Sequence, residues 1–222
     1  MAGVRKTRPV SWLKPALREF EKFPEVAQSI CLTVLTIAAE GGKADIAKPL
    51  HGLGSGVLEI ALPFEGDAYR VVYAVQLGTD IWVVHAFQKI ATPGIKTPQC
   101  ELDLMKDRLR RLKDIAMKAE RLKSVLGSGN VFRDLGRENA DVLQLKAILA
   151  AGIIKVLDKD RLTVRAAHDR TGIAAADFSR IRNADLGRFT VDRLMSVLNR
   201  LGSHVEVKVR VRRIEAAESV SA

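Results

Sequence analysis

The hydrophobic pattern changes period along the chain, and each change marks a new element. Trp12 to Phe23 and Glu25 to Glu40 read as two helices separated by Pro24, which suits a first helical position, and the second is ended by Gly41-Gly42. Lys48 to Gly56 is glycine-rich loop chemistry. Val57 to Leu62 predicts a strand. Tyr69 to Leu77 alternates, with Tyr69, Val71, Tyr73, Val75 and Leu77 on one face, and Ile81 to Phe87 returns as a further strand after the turn Gly78-Thr79-Asp80. Thr97-Pro98 then opens a helix. Leu102, Met105, Leu109, Leu112 and Ala116 form its apolar stripe, and Lys106, Arg108, Arg110, Arg111 and Lys113 lie on its other face.

The helical pattern fades at Leu126-Gly127-Ser128-Gly129-Asn130, which sets a domain boundary there to within about five residues. Helices are predicted again over Ala140 to Lys159, Thr163 to Arg170, Ala175 to Arg182 and Thr190 to Leu201, the last closed by Gly202. Val205, Val207, Val209 and Val211 alternate with Glu206, Lys208, Arg210 and Arg212, a one-sided strand without a mate in its own domain. The expected class is α+β: helices packed on a small antiparallel sheet, followed by an all-α domain with a C-terminal strand.

Charge adds a partner class. The 222 residues carry a net charge of +10. Residues 1–118 hold 17 lysines and arginines against 13 acids, and residues 119–222 hold 19 against 13, so both parts suit a polyanion. Two isolated cysteines, Cys31 and Cys100, fit a reducing cytoplasm. The four histidines have no metal-ligand spacing, so neither a metal nor another cofactor is expected. The basic start is not followed by a signal-type core, and no stretch is long enough to span a bilayer.

Residues 161–201 have the layout of a helix-turn-helix. Thr163 can cap the first helix, Ala166 and Ala167 are small where helices would cross, and Gly172 sits where the chain reverses. Ile173, Phe178 and Ile181 are apolar anchors. Ala175, Ala176, Asp177, Ser179, Arg180 and Arg182 are left on the exposed face of the second helix. Arg180 and Arg182 can reach phosphates or guanine edges, and Arg165, Asn183 and Arg188 can add backbone contacts. With Arg188 to Met195 included, the segment resembles XRE-type regulators, although Val164 stands where many relatives have a glutamine. Ser128 to Gly136 resembles the start of a HigA-type antitoxin. The resemblance implies operator DNA as a partner, with Thr163, Arg165, Ala176, Ser179, Arg180, Arg182, Asn183 and Arg188 as contact residues. Val131, Phe132 and Leu135, apolar between two glycines, are expected to inhibit a toxin by docking on it.

Upstream, the blocks Lys48 to Glu59, Tyr69-Arg70-Val71-Val72-Tyr73, His85-Ala86-Phe87-Gln88-Lys89 and Lys96-Thr97-Pro98 resemble the RelE/HigB-type toxins of the phage-associated branch. What this implies is a metal-independent mRNA endoribonuclease working with the ribosome. Such a reaction needs an oriented 2′-OH, cationic charge at the phosphate and help with two protons. The candidates are Lys48, Arg70 and Lys89 for charge and His85 as acid or base, with Tyr69, Tyr73 and Lys96 on the RNA. His85 shares strand parity with Val83 and Phe87, so a core histidine is an equal reading. Ile90 replaces a lysine that relatives often carry, and the basic residues they often have around the first strand are missing from Ile60 to Phe64.

The combined expectation is a single-chain toxin–antitoxin protein: a toxin module over 1–118, a linker over 119–127, a DNA-binding antitoxin module over 128–213 and a disordered tail over 214–222. It would autoregulate its transcription as a homodimer in the cytoplasm. The rival reading is an autorepressor with a catalytically inactive toxin-like module.

Overall fold

The computed structural model describes residues 7–89, 99–118 and 124–207. The chain runs β1 (Val10–Leu13), α1 (Lys14–Phe20), α2 (Glu25–Ala39), β2 (Ala47–Pro49), β3 (Val57–Phe64), β4 (Asp67–Leu77), β5 (Asp80–Lys89), α3 (Gln99–Lys118), β6 (Ser124–Val125), α4 (Val131–Asp134), α5 (Ala140–Lys159), α6 (Val164–Thr171), α7 (Ala175–Arg182) and α8 (Val191–Arg200). The class is α+β, as the pattern predicted.

The strands form one sheet in the order β2-β3-β4-β5-β1-β6, in which only β1 and β5 are parallel. Three of these strands lie in segments read differently from sequence. The expected helix from Trp12 is instead β1 followed by α1. All four residues of β1 are buried, so it shows no alternation, and a short apolar run of that kind does not reveal its type. Pro15 begins α1 immediately afterwards. Lys48 and Pro49, at the start of the expected loop, belong with Ala47 to a short edge strand on β3. Ser124–Val125, expected within the linker, pairs with Leu13 and Trp12 as β6. Directly after it, the Gly127 N–H donates to Ser11 Oγ at 3.1 Å, and Ser11 donates to Asp80 at 2.6 Å. A Cβ at Gly127 would run into the backbone of Val10, so only glycine permits this approach.

α2 explains why the second predicted helix is apolar almost all the way round. It packs on β1, β3, β4 and β5 with one side and on α4 and α5 with the other. Cys31 to Ala39 are all buried. Within this run Thr33 and Thr36 donate to carbonyls one turn back, Ser29 and Leu32, at 2.9 and 3.0 Å. Burial pushes the Cys31 thiol up to about 12, so it is an inert apolar filler. α5 is the hub of the helical half, touching α2, α4, α7 and α8. The buried residues therefore form one cluster that runs from the sheet through α2 into the helices.

At the other end of the chain, residues 203–207 carry no regular structure. The expected strand is corrected over Val205 to Val207, which are not part of the sheet among the described residues. Positions 208–213 and the expected tail lie outside the described residues.

Candidate functional site

Sheet register decides which of the proposed RNA-cleaving residues meet. Lys48 is opposite Glu59, Glu59 opposite Val72, and Val72 opposite His85, so these four side chains form one cross-strand row. Arg70 lies in the next row, opposite Phe87, and Lys89 in the one after, opposite Ala68. Lys48, Arg70, His85 and Lys89 thus share one face with Glu59, and α3 lies against that face across β4 and β5.

The face is neutralised from within. Arg70 is ion-paired to Glu59, with both side chains largely buried. Glu59 Oε1 and Arg70 Nε are buried without a further hydrogen-bond partner. His85 is 5% exposed and bridges two residues of α3. Its Nδ1 lies 2.6 Å from the Arg108 guanidinium, which also donates to the Val84 carbonyl at 3.0 Å, and its Nε2 lies 2.5 Å from Glu101. Because arginine can only donate, Nδ1 accepts, and the ring is the neutral tautomer that donates from Nε2 to Glu101. Burial lowers the pKa of His85. The Glu101 hydrogen bond opposes that shift and the Arg108 charge reinforces it, and the net direction is down. Desolvation likewise lowers Arg108. Phe87 stacks on His85 with ring centroids 5.1 Å apart.

The tyrosine expectation is corrected. Tyr69 and Tyr73 lie on the opposite face of β4, in the core, 6% and 1% exposed. Tyr69 packs against Phe23 at 4.8 Å, and burial raises the Tyr73 phenol well above its ordinary value. The two rings share one side of β4 as the alternation predicts, but that side is the one α2 covers, so neither ring can stack on a base. Lys48 is exposed at the sheet edge, Lys89 is half-buried, and Lys96 lies outside the described residues. Sequence reasoning missed Glu59, Glu101 and Arg108 as members of this face. Glu59 stood inside a quoted block and its parity with an apolar strand was the available signal. Glu101 and Arg108 required knowing where α3 docks. Among the described residues no cluster of three or more His, Cys, Asp or Glu could hold a metal.

The helix-turn-helix is built by local capping. Thr163 Oγ1 accepts the Ala166 N–H at 3.2 Å at the start of α6. Gly172 ends the helix in the left-handed region, with its N–H on the His168 carbonyl at 2.7 Å. Ala167 is fully buried at the crossing, and Phe178 and Ile181 anchor α7. Arg193 on α8 holds Asp177 in the first turn of α7 at 3.2 Å. Thr163, Arg165, Ala176, Ser179 and Arg188 are exposed, and Arg180 is partly exposed, with Asp185 at 3.8 Å. The Asn183 amide donates back to the Ser179 carbonyl at 2.8 Å.

Arg182 departs from the expected DNA-facing group. Its Nε lies 3.2 Å from both carboxylate oxygens of Asp45, and a terminal nitrogen donates to Asp158 at 2.9 Å. Burial alone would lower its pKa, but the hydrogen bond to Asp158 and the charge of Asp45 outweigh that, and the net shift is upward. The cause is angular: Arg182 lies four positions after buried Phe178, on the same face of α7, so it turns inward rather than toward solvent. Val131 and Phe132 are buried where α4 meets α2 and α5, and Leu135 is half-buried beside them. Arg137 reinforces the contact by donating to Gln28 and lying 3.4 Å from Glu25, both on α2.

Residues 18–110 match the family model described as phage-derived protein Gp49-like, and residues 131–210 match a model described as a helix-turn-helix domain. The chain therefore carries a Gp49-like, toxin-like region followed by an XRE-type helix-turn-helix region, a layout that matches a toxin fused to a helix-turn-helix antitoxin. No curated protein and no solved structure matches it. None of its described helices is long and apolar enough to cross a membrane.

Proposed function

We propose that the chain is a single-chain toxin–antitoxin regulator of the cytoplasm, with an mRNA endonuclease module over 1–118 held latent by a fused DNA-binding module over 128–213. The supporting observation is the shared sheet face of Lys48, Glu59, Arg70, His85 and Lys89 under α3. In ribosome-bound mRNA, a 2′-OH would attack the adjacent phosphorus, forming the 2′-O–P bond and breaking the bond to the 5′-oxygen. The Glu59 carboxylate, with one oxygen uncommitted, would take the 2′-OH proton. Arg70 would turn from Glu59 to the phosphate, with Lys48 and Lys89 adding charge. Once α3 moves and Arg108 and Glu101 release the ring, His85 would take a proton from solvent at Nδ1 and, as the imidazolium, give its Nε2 proton to the departing 5′-oxygen, while Glu59 would return the 2′-OH proton to solvent.

As it stands the face is closed by α3 of the same module, which engages both ring nitrogens of His85, and by Glu59, which cancels Arg70; the fused module would favour that closed state from the opposite side of the sheet, through α2. Val131, Phe132 and Leu135 keep the second module on α2. That module would bind its own operator as a homodimer, reading two half-sites about one helical turn apart and repressing transcription. The same closure also favours a second reading, an autorepressor whose toxin-like module is catalytically inactive.

Expression of residues 1–127, which keeps the β6 strand and Gly127 on the sheet edge, separates the two. Growth arrest with mRNA cleavage, absent for the full chain and abolished by Lys89→Ala, supports the latent enzyme. A harmless fragment at good soluble expression supports the inactive module.

A further inference from the structure

Asp45 lies in the turn between α2 and β2, in the sheet-bearing half, yet its contacts are with the helix-turn-helix. Its N–H donates to the carbonyl of Arg182, the last residue of α7, at 2.7 Å, and its carboxylate takes the Arg182 guanidinium. α7 has eight residues, and a helix that short does not hold its own shape or place in water. Phe178 and Ile181 anchor its inner face, and its fine placement depends on what grips its ends. At the first turn the grip comes from Arg193 of α8 through Asp177. At the last turn it comes from Asp158 of α5 and from Asp45, which satisfies a carbonyl that the helix leaves open.

We propose that Asp45 is a positioning residue for DNA reading: the toxin-like half caps the recognition helix and so sets where Ala176, Ser179 and Arg180 meet the major groove. The inference rests on the DNA-binding reading above. Base-edge contacts tolerate only about half an ångström of misplacement, so a loosened C-terminal end weakens discrimination before it weakens attraction. Electrostatics alone predicts the reverse pattern. Asp45 is an acid beside a DNA-binding surface, and removing its charge strengthens phosphate attraction at every sequence.

The full-length chain is used to enrich a duplex from a random pool, and its affinity is compared with that for a shuffled duplex of the same composition. Asp45→Asn is expected to lower the preference for the enriched duplex about fivefold while binding the shuffled one no more weakly. Asp45→Glu, which keeps the ion pair, should hold the preference near the wild-type level. Amide exchange over 175–183 should rise in Asp45→Asn without DNA, at an unchanged melting profile for the sheet. An unchanged preference in Asp45→Asn, or an equal loss on both duplexes, overturns the proposal. A wild-type chain that enriches no duplex overturns the DNA-binding reading and this inference with it.

Discussion

The two charged surfaces of this protein are built in opposite ways. On the sheet, Arg70 is drawn inward against Glu59, and Arg108 of the covering helix α3 reaches in to His85. On the helix-turn-helix, Arg165 and Arg188 stand in solvent around α7, and the one arginine that turns inward, Arg182, serves the contact between the halves. The same residue type is thus structural on one surface and available on the other. The difference comes from strand pairing, which forces neighbours to share a face, and from helix turns, which let charges diverge. A toxin-like face that is electrically satisfied is stable but closed, whereas an open cationic face is ready for a polyanion.

The largest effect should come from the layer joining the two surfaces. Phe132 is fully buried, and Phe132→Ala should cost about 3–5 kcal/mol in denaturant unfolding. Val131→Ser with Phe132→Ser should in addition expose the α2 side to protease; intact resistance would remove α4 from the inhibitory role.

Next comes the buried pair. Arg70→Ala leaves the Glu59 carboxylate in a mostly dry site and should cost about 3 kcal/mol, discounted for its residual exposure. Arg70→Ala together with Glu59→Ala should recover part of that loss, by the same unfolding measurement. A loss no larger than that of an exposed arginine would break the contrast between the surfaces.

His85 offers a smaller, pH-dependent effect. Glu101, Arg108 and the more distant Glu19 surround it, and burial keeps its pKa below the ordinary 6.5. The unfolded chain therefore binds the proton more readily. Stability should be full above about pH 6.5 and fall as pH drops from there toward the lower folded value. Arg108→Ala should raise the His85 pKa, read by NMR titration of the imidazole, because it removes the neighbouring cation.

The smallest effects belong to the open charges. Arg188→Ala should reduce the slope of DNA affinity against salt by about one and leave stability unchanged, whereas Arg180→Ala should cost about 1–3 kcal/mol of site preference. On α3 itself, Lys106→Ala removes an exposed partner of Asp103 and should change stability by less than about 0.5 kcal/mol, in contrast to Arg108 two positions later.

What was legible in the sequence follows the same division. The helix-turn-helix is specified by local chemistry, with a Thr163 cap, Gly172 at the reversal and anchors at fixed offsets, so its helices and most of its exposed residues were read in place. The sheet is specified by pairing between distant segments. The alternation of β4 was visible, but nothing local indicates that α2 covers the Tyr69 side and α3 the Arg70 side. That depends on long-range docking, which also brings Glu101 and Arg108 to His85. β1 was lost because burial on both sides erases the period on which strand reading relies. Arg182 was misplaced because its partner Asp45 is 137 positions away.

The seam at β6 has a consequence for how such a protein could be divided. Residues 124–127 are built into the edge of the sheet through Trp12, Leu13 and Ser11, so the segment that begins the second half completes the first. A cut within 119–123 would not yield two independent globules. It would yield a pair of fragments in which the second donates a strand and a fitted glycine to the first, and the two should find each other again by edge-strand addition.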